Sequence, residues 1–223
     1  MLWDIDNTLL YTGGAGGVAM ARAFRDLYGI DDAFGKVEFS GRSDTAIFAD
    51  VAREHGVADN PASEIPRFIN AYLPHMEAAL REIRGALMPG IESALTALAG
   101  RDDVVQGLGT GNFRRTGEAK LVHYGIAGFF PGTVGGFGDD HESRDEVIRI
   151  GIDRLRNGGS SADRVVIIGD TPHDVAAARA NSAFALGVAT GRDSVDRLLS
   201  CGADAAVEDL ADTATAVRLI LGA

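Results

Sequence analysis

Two carboxylates stand at the very start of the chain, Asp4 and Asp6 in MLWDIDNTLL. They follow a short apolar run that reads as the end of a buried strand, Met1 to Ile5. Residues two apart in a strand face the same side, so both groups can reach one crevice where the strand runs out. Asp4 lies between Trp3 and Ile5, and an ionised carboxylate in apolar surroundings is costly unless it is paired or bound to a metal. Alone, this spacing also describes an ordinary polar loop after a strand. Two more polar clusters close apolar runs further on: Thr110-Gly111-Asn112 after Val104 to Gly109, and Gly169-Asp170 with Asp174 after Val165 to Ile168.

The elements that must position these groups can be read from periodicity. After the first strand comes YTGGAGG, from Tyr11 to Gly17, with four glycines. Such a run could cradle a phosphate, but two carboxylates beside it would repel one, and the run is expected to be a flexible hinge or flap. Apolar residues then recur at helical spacing in Val18 to Tyr28, with Gly29 as the stop. A second helix is expected from Asp44 to His55, capped by Ser43. A third runs from about Ser63 to Ile83, interrupted near Pro74. No strand stands out there, so residues 12–86 read as an all-helical insert.

Beyond Met88-Pro89-Gly90 the pattern changes to alternating helix and strand. Helices are expected at Ile91 to Ala99, Phe113 to Tyr124, Ser143 to Leu155, Pro172 to Ala180, Ser194 to Leu199 and Leu210 to Leu221. Strands are expected at Val104 to Gly109, Thr133 to Phe137, Val165 to Ile168, Ala183 to Val188 and Ala205 to Val207. This alternation predicts an α/β fold, a doubly wound parallel sheet with helices on both faces. The expected division is residues 1–11 and 87–223 as the α/β core, with 12–86 as the insert. Ligands bind beyond the carboxyl ends of such strands, which is where all three polar clusters fall.

Composition narrows the function class. The chain has 223 residues, 46% hydrophobic and 24% charged, with a net charge of −11. That balance suits a globular protein and disfavours a polyanionic partner, so no nucleic acid is expected. No apolar run is long enough for a membrane span. Cys201 is the only cysteine, which excludes an internal disulfide and fits a cytoplasmic location. Only three residues precede Asp4, fewer than a buried strand usually has, which raises the expectation that the strand begins upstream.

The ordered motifs resemble the haloacid dehalogenase (HAD) superfamily, in its phosphoglycolate-phosphatase-like branch with a helical cap. DIDNT matches D-x-D-x-T, Thr110 the second motif, Arg144 the basic third, and GDTPHD, Gly169 to Asp174, the fourth. The resemblance implies a Mg²⁺-dependent phosphatase acting on a small phosphorylated metabolite through an aspartyl-phosphate. Asp4 would be the nucleophile and Asp6 the acid and base. Thr110, Gly111, Asn112 and Arg144 would hold the phosphate. Asp4, Asp6 (through its carbonyl) and Asp170 would hold the metal, with Asp174 behind them. Arg42, in a turn similar to the substrate-facing turn of related caps, could contact the leaving group.

Each assignment has a plainer counterpart. Thr110-Gly111-Asn112 could be a helix cap, Asp170 and Asp174 could serve the Pro172 helix, and Arg42 and Arg144 could be surface charges. The family more often has lysine at the third motif; Lys120, the competitor, sits about 10 Å along its helix and is not expected to reach the strand edge. Asn7 stands where glycine is common, but asparagine tolerates left-handed angles. A dehalogenase would not need Asp6 or Asp170. The alternatives kept open are a sugar-phosphate mutase of the beta-phosphoglucomutase type and a non-catalytic phosphate-binding module.

Overall fold

The computed structural model describes residues 1–158 and 163–222. Among these, strands β1 (Leu2–Trp3), β4 (Gly107–Gly109), β5 (Gly135–Gly136), β6 (Val166–Gly169), β7 (Phe184–Val188) and β8 (Ala205–Val207) form one sheet in the order β5-β4-β1-β6-β7-β8. Every neighbouring pair in it is parallel. β1 is the point from which the chain crosses outward in both directions, the position where doubly wound sheets open a crevice. Leu2 and Trp3 alternate across the sheet. Leu2 packs with Ile148 and Ile152 of α6 (Arg144–Asn157) and Val175 of α7 (Pro172–Ala180). Trp3 packs on the other face with Leu95 of α4 (Ile91–Ala99) and Ile220 of α9 (Thr213–Leu221). Helices therefore cover both faces, as expected.

The strands are shorter than the apolar runs suggested. β1 occupies two of the five positions expected, and β5 is confined to Gly135–Gly136 rather than Thr133 to Phe137. The backbone leaves regular pairing early to present polar side chains, although the Asp4 N–H still donates to the Ile168 carbonyl at 2.9 Å.

The insert holds α1 (Ala15–Tyr28), α2 (Asp44–Glu54) and α3 (Ile65–Glu82). Two expectations fail here. Gly16 and Gly17 are not a flexible turn but lie in the first turn of α1, where they line the cavity described below with backbone alone. Pro74 does not interrupt α3. An internal proline costs about 3 kcal/mol, and burial of Phe68, Tyr72, Met76 and Ala79 along the same helix outweighs it. Strands that apolar patterning missed sit at the border of the insert: β2 (Leu10–Tyr11) and β3 (Ala86–Leu87) pair antiparallel where the chain enters and leaves it. At two residues each, they are too short to show an alternation.

The insert has a hydrophobic cluster of its own, built on Phe24, Phe34, Phe48, Phe68 and Tyr72. Phe48 and Phe68 stack with centroids 4.4 Å apart, and Phe24 meets both edge-on. Phe113, from the sheet portion, is buried in the same cluster. Phe68 sits at its centre, so Phe68→Ala is expected to lower unfolding stability by about 3–5 kcal/mol in urea denaturation; a loss under about 1 kcal/mol would mean that this aromatic cluster does not hold the insert together.

Candidate active site

The three polar clusters meet because their strands are adjacent and in register. Trp3 pairs with Leu108 on one side and Ile168 on the other, so Asp4, Thr110 and Asp170 emerge side by side. They do so at one end of a cavity of about 390 Å³ between sheet and insert. Asp4, Asp6, Gly111, Asn112, Arg144 and Asp170 line it, together with Arg42 from the insert. Thr110 is fully buried just behind this wall.

Asp4 is held by one partner. Its Oδ1 accepts from Arg144 Nη2 at 2.7 Å, and among the described residues no hydrogen bond engages Oδ2. Burial pushes its carboxyl up to about 6, against the pull of Arg144. Arg144 is itself buried and opens α6, so it is not a surface charge. Burial works against its guanidinium, but Asp174 and Asp4 outweigh that and hold its pKa above the ordinary value. Asp174 carries both a structural and a site role. Its Oδ1 accepts from Arg144 Nε at 3.1 Å and also from Nη2. Its Oδ2 accepts from the Thr171 N–H and hydroxyl at 3.1 and 2.7 Å, closing a capping box on α7. With both oxygens taken, Asp174 orients Arg144 and stands behind the cavity wall.

Asp170 is the group without a protein solution. It is buried, and among the described residues its Oδ1 has only a long contact to the Thr8 hydroxyl at 3.4 Å and its buried Oδ2 has no partner. Burial, then Asp174 and Asp4, push its carboxyl up to about 9. Carboxylate oxygens of Asp4, Asp170 and Asp174 lie within 4.8 Å of one another. An all-oxygen, carboxylate-rich donor set with one orphaned member could hold a hard divalent cation.

Lys120 is the correction on the basic residues. It was expected to fall short of the strand edge, yet its Nζ lies 2.8 and 2.6 Å from the two Asp6 carboxylate oxygens. It also donates to Asn112 Oδ1. Two features carry its ammonium beyond the rise along the helix axis. Side chains lean toward the helix N-terminus, and Asp6 sits on a loop beyond the strand, nearer to α5 (Arg114–His123). Gly117, one turn earlier on α5, lets the helix approach that loop: a Cβ there would lie 3.1 Å from Ile5 Cδ1. Asn7, in the loop, has φ 58°, the left-handed angle that asparagine tolerates.

The Asn112 side chain is fully engaged within the site. Its amide nitrogen donates to Asp6 Oδ2 and to Thr110 Oγ1, both at 2.8 Å. Thr110 Oγ1 also accepts from the Asn112 N–H at 3.3 Å, which leaves the hydroxyl proton for another acceptor. Arg42 reaches the cavity wall, but its guanidinium is paired with Asp50 and donates to the Ala46 carbonyl at 3.4 Å.

One turn of the insert docks directly on this site. The Asp44 N–H donates to the Gly111 carbonyl at 2.7 Å, and the Ser43 hydroxyl to the Glu142 carbonyl at 2.8 Å. Only glycine fits at 111, because a Cβ would meet the Arg42 carbonyl oxygen at 2.3 Å. The Asp44 carboxylate accepts the Phe113 N–H at 2.8 Å, supplying from the insert the acid that α5 lacks at its own N-terminus. Burial pushes Asp44 up to about 7, against Lys120 and that N–H. Asp44 closes the turn Gly41-Arg42-Ser43-Asp44, in which the sequence assigns a contact only to Arg42; its bond to Phe113 leaves no trace in local spacing.

Comparison with known proteins gives the family and the fold. The family model for haloacid dehalogenase-like hydrolases matches residues 1–188. The chain belongs to that family. No curated protein sequence matches it significantly. Among solved structures, a hydrolase from Pseudomonas syringae is similar at TM-score 0.71 and 20% identity, over 98% of this chain and 97% of the other. A predicted phosphatase from Clostridium acetobutylicum is similar at TM-score 0.68 and 20% identity, over 100% and 97%. CbbY from Rhodobacter sphaeroides, in complex with phosphate, is similar at TM-score 0.63 and 20% identity, over 95% and 94%. The family supports a hydrolase enzyme, and the HAD-like Rossmannoid α/β core expected from the motifs is the fold observed. Among the described residues no helix is long and apolar enough to cross a membrane.

Asp170 sets a pH dependence. Its folded-state pKa, about 9, lies above the ordinary 3.8, so between those values the folded chain holds a proton that the unfolded chain releases. The contribution of this proton to stability is therefore fully present below about pH 4 and is lost as pH rises through about 9. Asp4 and Asp44 act with the same sign. In chelator, the melting temperature is expected to fall from about pH 5 to about pH 9. Added Mg²⁺ should reduce the fall in wild type and have little effect on Asp170→Asn. A melting temperature in chelator that is flat across this range would contradict the picture.

Proposed function

We propose that the protein is a Mg²⁺-dependent phosphatase that hydrolyses a small phosphomonoester through an aspartyl-phosphate on Asp4. One observation carries this reading. Asp4 lines the cavity with Oδ1 fixed by Arg144 and Oδ2 without a protein partner. That is the state of a nucleophile aimed at a bound group. A carboxylate and a phosphate monoester repel each other; Mg²⁺ held by Asp4, Asp170 and the Asp6 carbonyl would cancel that repulsion and polarise the phosphate.

The residues of the chain then divide the work. Asp4 Oδ2 attacks phosphorus while the bond to the leaving oxygen breaks, and Asp6 gives that oxygen its proton. The Thr110 hydroxyl, the Gly111 and Asn112 N–H groups and Arg144 steady the equatorial oxygens. In the second half Asp6 takes a proton from water as it attacks the aspartyl-phosphate. Inorganic phosphate leaves and the Asp4 carboxylate is restored. Residues 12–86 act as a cap, a role supported by the docking of Arg42, Ser43 and Asp44 over Gly111. Phosphate bound to the similar CbbY structure supports the substrate class. The single cysteine fits a cytoplasmic enzyme.

The test is phosphate release from p-nitrophenyl phosphate, with and without Mg²⁺. Wild type is expected to depend on the metal, and Asp4→Asn to lose at least about a thousandfold in kcat/KM. Full activity in Asp4→Asn would overturn the reading. Conversion of a hexose 1-phosphate to its 6-phosphate without free phosphate would favour the mutase instead, and tight phosphate binding without turnover a binding module.

A further inference from the structure

Lys120 is nine-tenths buried and more, yet the reaction proposed above gives it no part. The basic residue that contacts Asp4 is Arg144, and among the described residues Lys120 makes no hydrogen bond to Asp4. Its ammonium spans both oxygens of Asp6, at 2.8 and 2.6 Å, and donates to Asn112 Oδ1. Asn112 completes a closed triangle by donating from Nδ2 to Asp6 Oδ2 at 2.8 Å. Asp6 itself is only half-buried, with a side-chain exposure of 39%. Without these donors its half-buried carboxylate would be free to rotate toward solvent. Burying a lysine is costly unless the ammonium is fully engaged, and this one is engaged on the acid–base residue.

We propose that Lys120 is a positioning residue for Asp6, fixing the rotation of its carboxylate toward the leaving oxygen and so setting which leaving groups the enzyme can expel. This inference rests on the phosphatase reading. Misplacing a proton donor by a fraction of an ångström costs rate only where the proton is needed. A good leaving group departs as a stable anion without it. A poor one does not.

The experiment is a series of aryl phosphates, from p-nitrophenyl to p-methoxyphenyl phosphate, with Mg²⁺ present. kcat/KM covers the steps through leaving-group departure, so it isolates the first half of the reaction. Lys120→Met is expected to lose about tenfold or less on p-nitrophenyl phosphate and about a hundredfold or more on p-methoxyphenyl phosphate. Asp6→Asn should show the same steepening, and the double variant should be no worse than Asp6→Asn alone. Lys120→Gln, which keeps a donor for Asn112, provides the same comparison should the methionine variant fail to fold. A merely structural lysine would lower every substrate by the same factor, and that result overturns the inference while leaving the phosphatase reading intact. No phosphate release by wild type overturns both.

Discussion

Like charges crowded at the ends of neighbouring strands are the constraint on which the structure turns. Asp4, Asp6, Asp170 and Asp174 converge there, and parallel register leaves them no room to spread. Arg144 answers Asp4 and Asp174, and Lys120 answers Asp6. With all four carboxylates ionised, two negative charges remain, the amount that one divalent cation cancels. Asp170, with an oxygen that nothing in the described protein satisfies, marks where that deficit sits. Sheet, helices and insert can be understood as the means of holding this arrangement together. β1 is flanked on both sides so that its end cannot fray, and α6 and α7 bring Arg144 and Asp174 to its rim.

The two cations are not equivalent. Arg144 presents a planar fork, and three hydrogen bonds fix it between two carboxylates. Such a group suits the recognition of a phosphate, because guanidinium geometry matches two oxygens at once. Lys120 is a point charge on a flexible stem, held by a side-chain amide and a carboxylate. Its surroundings supply the order that its own geometry lacks.

Much of this was legible in the sequence, for a physical reason. Alternating helix and strand dictates a parallel sheet, and a parallel sheet places every strand end at one edge. Asp4, Thr110 and Asp170 can therefore be assigned to one crevice from the sequence, whereas Arg144, at the start of a helix, joins them only through the resemblance to the family's third motif. What escaped depends on direction and distance in three dimensions. The reach of Lys120 is hidden because the lean of a helix side chain and the approach permitted by Gly117 leave no periodic trace. Asp44 escaped because its function is to cap a helix far away in sequence, a contact that no local rule reveals. Pro74 and the glycines of α1 misled because local propensity yields to burial, and burial is a property of the folded insert.

The paired strands β2 and β3 carry a consequence for how such proteins diversify. The insert leaves and rejoins the sheet through two segments hydrogen-bonded to each other, Leu10 to Leu87 and Tyr11 to Ala86. Its two ends thus meet at one place, like the stem of a bouquet. Parts of the insert distal to that stem and away from the turn that docks on Gly111 can be lengthened or shortened without moving a strand of the main sheet. The covalent path between sheet and insert thus runs through four paired residues, so a change in the length of the insert need not propagate into the strand ends.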